Sequence, residues 1–127
     1  MGFYLTFYSV DKDTLPEPGV NIDGEGISFD YDEVFKEDAV RPTRIASWKN
    51  MHGLRDVLRR AECCDKDSLG PWVIRKQDIP RILSWLSYHV GENPDDQWTD
   101  YAGLKLLLMM KKETFDFDKQ WLIFTAG

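Results

Sequence analysis

The sequence predicts one small α+β domain, in which an antiparallel sheet carries about three helices packed on one side. Strand-like patterns occur near both ends of the chain and helical patterns lie between them. No internal repeat, low-complexity tract or interdomain linker interrupts the sequence. A chain of 127 residues with 43% hydrophobic residues has the size and the apolar content of a single domain. We therefore expect residues 1–127 to form one globular unit.

The strand predictions rest on alternation of side chains. Residues 3–10 present two largely apolar faces, which predicts a central strand. Residues 20–31 combine apolar alternation with a Gly-containing turn, which predicts a hairpin with one apolar and one acidic face. Residues 72–74 form a short strand candidate, and two short strands or a hairpin are predicted around Asp118 and Lys119.

Helical spacing of apolar residues predicts a first helix over residues 46–62, with Thr43 or Ser47 as its N-cap. Gly53 lies inside this helix and costs it about 1 kcal/mol relative to Ala. We expect another element to pack closely against this glycine.

A second helix is predicted after Asp78, with Pro80 in its first turn, where no backbone donor is missed, and with its end near Gly91. A third helix is predicted over residues 95–111. Its apolar residues cover nearly every face, so we expect it to be the buried helix of the domain.

Charge and cysteine content restrict the class of protein. The chain has 22 acidic and 16 basic residues and a formal net charge of -6. This balance disfavours direct nucleic-acid binding and anionic membranes and favours a cationic partner. The two cysteines, Cys63 and Cys64, are adjacent and rarely pair with each other, and the N-terminus has no signal-peptide pattern. A reducing, cytoplasmic location is therefore expected.

The charge distribution is the most informative functional feature. Residues 11–38, called here the acidic segment, hold ten carboxylates and two lysines, whereas residues 41–60 hold six basic residues and one acidic residue. Either the acidic hairpin folds against the basic helix and the charges partly cancel, or an acidic patch docks on a basic site of another protein. Exposed aromatics such as Trp98 would then add affinity. The predicted partner-binding residues are Asp23, Glu25, Asp30, Tyr31, Asp32 and Glu33.

No catalytic set, metal site or cofactor motif is expected. The only histidines, His52 and His89, have no carboxylate or cysteine partner at ligand spacing, and a role for His89 near a helix C-terminus is to complement the dipole. The cysteines follow Arg59 and Arg60, which could lower a thiol pKa, but burial at the end of the helix is the favoured interpretation. The acidic residues near Gly24 do not follow the calcium-loop pattern.

Three stretches resemble a family of small uncharacterised phage and prophage proteins. Residues 1–5 (Met-Gly-Phe-Tyr-Leu) are similar to that family's Met-Gly-Leu-Asp-Met-Tyr-Leu start. Residues 46–54 (Ala-Ser-Trp-Lys-Asn-Met-His-Gly-Leu) are similar to its Trp-Arg-Lys-Ala-Asn-x-Ile-His helix, with His52 in place of the family Asn and Arg55 in place of its His. Residues 73–79 are similar to its Val-x-Arg/Lys-x-Asp-Leu turn. The resemblance implies a mobile-element origin and no particular activity.

Together these features predict a non-enzymatic acidic protein that neutralises or regulates a basic partner protein, such as a nuclease. By analogy of size and charge, toxin-immunity proteins and phage inhibitors of host defences are the nearest functional class. The alternative is a small enzyme or ligand-binding domain with a cleft near His52, Arg55 and the Cys63–Cys64 pair.

Overall fold

The α+β fold is visible in a computed structural model that describes residues 4–14, 19–20, 27–29, 34–35, 42–49, 52–64, 70–92 and 98–127. Six strands of this part of the chain form one antiparallel sheet in the order β2-β3-β5-β6-β1-β4. The strands are β1 (Tyr4–Asp11), β2 (Gly19–Val20), β3 (Ile27–Ser28), β4 (Thr43–Lys49), β5 (Trp72–Ile74) and β6 (Gln120–Ala126). The helices are α1 (His52–Arg60), α2 (Ile79–Glu92) and α3 (Trp98–Thr114), with 3-10 turns at Lys12–Thr14 and Lys76–Asp78.

β1 is buried on both faces, as its two apolar faces predict. Leu5 and Phe7 are fully buried on one face, and Val10 is 4% exposed on the other. β6 pairs with β1 from Leu5↔Ala126 to Asp11↔Gln120, and β4 pairs with its other edge. β1 is therefore an interior strand of the described sheet, with β4 on one edge and β6 on the other.

All three helices pack on one face of the sheet, which confirms the predicted layer order. The fully or nearly fully buried residues that join them to the strands form the first core. On the strands these include Leu5, Phe7, Trp72, Ile74, Leu122, Phe124 and Ala126; on the helices they include Leu54, Val57, Leu58, Ile79, Ile82, Leu86, Tyr101, Leu104 and Leu108.

The opposite face of the sheet carries a second core. It uses the alternate positions of the same strands, Val10, Val73 and Ile123, together with Phe29 and Val34. Successive side chains of a strand point to opposite faces, so Val73 and Ile74 belong to different cores. The sheet therefore separates two apolar layers.

The predicted helix over residues 46–62 is wrong in its first part. Thr43–Lys49 is strand β4, so neither Thr43 nor Ser47 is a helix N-cap, and α1 spans His52–Arg60. The free edge of β1 supplies backbone hydrogen bonds to β4, and the Thr6 and Ser47 hydroxyls add a hydrogen bond of 2.9 Å. The Trp48 ring packs edge-on against Phe7, with centroids 5.7 Å apart. Tertiary pairing thus overrides the helical spacing of Trp48.

The expectation that the third helix is buried all round is also wrong. Tyr101, Leu104 and Leu108 face the first core, but Leu106 and Met110 are each 61% exposed. α3 lies at the outside of the helix layer, so only one side of it meets the core. It spans Trp98–Thr114, and positions 95–97 of the predicted helix lie outside the described residues.

The predicted hairpin over residues 20–31 and the predicted strands around Asp118 and Lys119 are each confirmed in part. β2 and β3 pair antiparallel through Gly19↔Ser28 and Val20↔Ile27, although the turn between them lies outside the described residues. Around Asp118 only one strand forms, because residues 115–119 make a turn instead of the expected first strand. The Asp116 carbonyl accepts the Lys119 and Gln120 N–H groups, and its carboxylate accepts that of Asp118.

Gly53 meets the close contact that its position in a helix indicates. A Cβ built on Gly53 would overlap the Tyr101 hydroxyl of α3 and would lie 3.0 Å from Nε2 of His89 on α2. Glycine therefore permits α1 to approach the other two helices.

We expect Gly53→Ala to lower the free energy of unfolding by about 1–3 kcal/mol, because overpacking outweighs the improved helix propensity. Urea unfolding measures this change. Gly91→Ala is the matched control, since no described atom lies within 4 Å of its built Cβ. We expect that control to be neutral or to stabilise by up to about 1 kcal/mol. Equal stability of the two variants would contradict the close approach.

Candidate functional site

The predicted partner-binding residues fall outside the described part of the chain, as does the side chain of Trp98. They are Asp23, Glu25, Asp30, Tyr31, Asp32 and Glu33. The described residues that flank positions 30–33 are Phe29, which is 5% exposed, and Val34, which is fully buried. Both belong to the second core. The chain therefore enters and leaves these four positions from buried contacts.

Aromatic contacts fix the residues on either side of these positions. The Phe29 ring meets Trp121 of β6 edge to face, with centroids 5.6 Å apart. Phe35, the residue after Val34, meets Tyr8 of β1 in the same way at 5.1 Å. Such pairs stabilise a contact by about 0.5–1.5 kcal/mol beyond the area they bury. This part of the acidic segment is thereby tied to the second face of the sheet.

The arginines of α1 lie on the other side of the sheet. Arg59 and Arg60 both bind Asp56, with N–O distances of 2.7 and 3.1 Å. α1 packs into the first core, whereas Phe29 and Val34 pack into the second. The described contacts therefore place α1 on the sheet face opposite Phe29 and Val34. Arg55 also lies on α1, whereas Arg44 lies in β4 rather than on a helix.

Asp56 remains ionised in this cluster. Partial burial raises the pKa of its carboxyl, but the hydrogen bond from Arg59 and the positive charges of Arg60 and Arg59 lower it further than burial raises it. The net result is a pKa below the ordinary value. One carboxylate thus binds two arginines of α1.

The cysteine pair closes α1, as expected for buried residues. Glu62 adopts a left-handed conformation with φ 63°, and the Cys63 N–H donates to the Leu58 carbonyl. These features end the helix in a Schellman motif. Burial raises the pKa of the Cys63 thiol to about 12, with a further contribution from Asp78 that Arg81 partly offsets. The thiol is therefore protonated near neutral pH, and it donates to the Ala61 carbonyl at 3.6 Å.

Asp78 connects three elements from a buried position. Its carboxylate, on a residue 3% exposed, accepts the Arg75 backbone N–H at 2.9 Å and binds the guanidinium groups of Arg75 and Arg81. Arg81 also donates to the Ala61 carbonyl beyond the end of α1. The prediction that Asp78 directly precedes the second helix is correct. Its carboxylate binds the guanidinium groups of Arg75 and Arg81 and the backbone N–H of Arg75.

The described partner of His89 is Tyr101 of α3. His89 shares a hydrogen bond of 2.9 Å with the Tyr101 hydroxyl, and the two rings lie 5.1 Å apart. That partner on α3 could not be read from the local sequence. His52 begins α1, and its side chain lies outside the described residues. Arg55 is half-buried on the same helix.

A surface that sequence reasoning missed lies on the outer side of α1 and α2. The Arg60 guanidinium lies 5.6 Å above the centre of the Trp85 ring, and Trp85 meets Tyr88 edge to face at 5.6 Å. Tyr88 is 51% exposed, and a shallow depression of about 420 Å³ adjoins these rings. The sequence feature that could have indicated this surface is the pair Trp85 and Tyr88, two aromatics three residues apart on the polar flank of the predicted helix.

Metal-ligand clusters, membrane-spanning helices and known relatives are three further indicators of function. Within the described ranges, no three His, Cys, Asp or Glu side chains come together in a way that could hold a metal ion. None of the described helices is both long and apolar enough to cross a membrane. No protein-family model, curated protein or solved structure matches the chain.

The raised pKa of Cys63 predicts how stability depends on pH. An unfolded thiol ionises near pH 9, whereas the folded thiol stays protonated up to about pH 12. The free energy of unfolding is therefore independent of this group below about pH 8. Above pH 9 it falls by up to about 1.4 kcal/mol per pH unit until the folded thiol ionises.

The measurement is urea unfolding from pH 7 to pH 11 for the protein and for Cys63→Ala. Other groups titrate in this range, so the difference between the two proteins isolates the contribution of Cys63. We expect that difference to shrink as the pH rises. A constant difference would show that the thiol ionises equally in both states.

Proposed function

We propose that the protein is a non-enzymatic binding protein that neutralises or regulates a cationic partner protein. Toxin-immunity proteins and phage inhibitors of host defences are the functional class that this proposal implies. The observation that carries it is the burial of Phe29 and Val34 on the sheet face opposite α1–α3. These residues flank Asp30, Tyr31, Asp32 and Glu33 in the sequence.

Local charge pairing supports the availability of these carboxylates to a partner. Arg59 and Arg60 already bind Asp56, and the sheet lies between α1 and the second core. The two arginines are therefore poor candidates for neutralising a surface built on positions 30–33. A carboxylate surface of this kind attracts a basic site and raises the rate of association more than the final affinity.

The partner of such a surface would present several Lys or Arg side chains around a concave site. The active site of a nuclease has this chemistry, because it binds a phosphate backbone. The resemblance to small phage and prophage proteins fits the same class. Tyr31, in the middle of the carboxylates, would supply an aromatic contact of the kind that concentrates binding energy.

The alternative enzyme or ligand-binding function near His52, Arg55, Cys63 and Cys64 has less support. A nucleophilic cysteine acts as its thiolate, and burial keeps the Cys63 thiol protonated near neutral pH. Cys64 is fully buried. The described geometry therefore offers no reactive thiol for a catalytic role.

Reversing two charges tests the proposal. We expect Asp30→Lys combined with Asp32→Lys to lower the association rate constant for the partner by about tenfold or more and to reduce its salt dependence. The partner is captured on the immobilised protein from a bacterial lysate and identified. The rate constants are then measured at two ionic strengths by surface plasmon resonance.

Glu113→Lys combined with Asp118→Lys is the matched control. Both residues are exposed, and this pair changes the net charge by the same amount. The control should associate like the unmodified protein. If the Asp30 and Asp32 variant also associates normally, the acidic-surface mechanism is wrong. If both variants slow equally, net charge rather than this surface governs binding.

A further inference from the structure

A cleft of about 360 Å³ lies at the end of the sheet where β1 and β5 end and β6 begins. Ligand pockets in proteins start at about 300 Å³, so this cleft is large enough for a small molecule. Its lining combines basic side chains with apolar ones. The residues that matter below are Lys12, Arg75, Lys76, Phe117, Trp121 and Leu122.

The charge of this cleft is opposite to that of the whole protein. Three basic side chains line it, from Lys12, Arg75 and Lys76, against one carboxylate, from Asp118. The chain as a whole has a formal charge of -6. A local excess of positive charge in a concave site favours an anion over a neutral or cationic ligand.

Lys12 is held in place at the cleft. Its backbone N–H donates to the Lys119 carbonyl at 2.9 Å, which ties the end of β1 to the turn before β6. Its ammonium group lies 4.3 Å from the centre of the Trp121 ring. A cation–π contact of this kind keeps the charge beside the ring without neutralising it.

Arg75 is oriented by a buried carboxylate. Its Nε and one terminal nitrogen donate to the two oxygens of Asp78 at 3.1 and 3.0 Å. The hydrogen bond to Asp78 raises the pKa of Arg75 above its ordinary value, so the guanidinium stays charged. A guanidinium has five N–H donors, and the Arg75 side chain is 43% exposed. Donors therefore remain for an anion while the group is fixed from behind.

The rest of the lining is apolar. Val73 and Leu122 are buried in the sheet, and the partly exposed rings of Phe117 and Trp121 border the opening. An apolar body of a ligand could thus be covered here while its charged head meets the basic groups. An inorganic ion would contact the basic groups and leave the apolar part of the cleft unfilled.

We propose that this cleft binds a small organic anion, with a phosphate or carboxylate head at Lys12, Arg75 and Lys76 and an apolar body against Phe117 and Trp121. This proposal does not depend on the acidic surface proposed above. Binding there is electrostatic at the head and hydrophobic at the body, so both parts contribute to affinity.

Simple probes test the two parts. The ¹⁵N-labelled protein is titrated with phenyl phosphate, benzoate, inorganic phosphate and benzyl alcohol, and amide chemical shifts are followed by NMR. We expect saturable shifts at Lys12, at residues 75–77 and at residues 120–122 with phenyl phosphate, benzoate or both. Binding of the better probe should be at least about tenfold tighter than that of inorganic phosphate or benzyl alcohol. The tighter of phenyl phosphate and benzoate identifies the head group.

Single-lysine variants decide whether the cleft is responsible. Lys76→Ala and Lys12→Ala should each weaken the better probe by about fivefold or more. Lys105→Ala, at an exposed lysine of α3 outside this cleft, should leave binding unchanged. The proposal is overturned if no saturable shifts occur at these amides, if inorganic phosphate binds equally well, if neither cleft variant weakens binding, or if Lys105→Ala weakens it equally.

Discussion

Burial of β1 on both of its faces is the constraint on which the rest of the structure depends. A strand with Leu5 and Phe7 on one face and Val10 on the other needs packed apolar residues against both faces. The helices cover the first side, and Phe29 and Val34 contribute to the cover of the second. Both edges of β1 are paired, one with β4 and the other with β6. The local sequence alone did not predict strand β4.

This division of the molecule also separates its charges. Arg59 and Arg60 of α1 are paired with Asp56 on the helix side, and the residues that flank positions 30–33 are buried on the other side. A third charged region, around Lys12, Arg75 and Lys76, lies at the end of the sheet. Under the two proposals above, an acidic protein presents a surface for a cationic partner and binds a small anion at the end of the sheet.

The sequence predicted the features that depend on local pattern and missed those that depend on distant pairing. Alternation located β1 and β5, and helical spacing located α2 and most of α3. Gly53 signalled a close contact but could not identify Tyr101, which lies far along the chain. The spacing of Trp48 and Leu54 predicts that the helix begins at residue 46, whereas the edge of β1 sets the position of residues 46–49 in a strand. The sheet-end cleft joins remote residues, so no short motif predicts it. The ion pairs of Asp78 with Arg75 and Arg81 are local, but the contact of Arg81 with the Ala61 carbonyl depends on the fold.

The separation of the acidic segment from α1 is the central claim, and a double-mutant cycle tests it most directly. The four proteins are the unmodified chain, Asp30→Lys with Asp32→Lys, Arg59→Glu with Arg60→Glu, and the combination of both pairs. Their free energies of unfolding are measured in urea at low ionic strength. If the acidic surface lies on the face opposite α1, as proposed, the changes add to within about 0.5 kcal/mol. A coupling energy of about 1 kcal/mol or more would show that the carboxylates contact these arginines and would contradict the account.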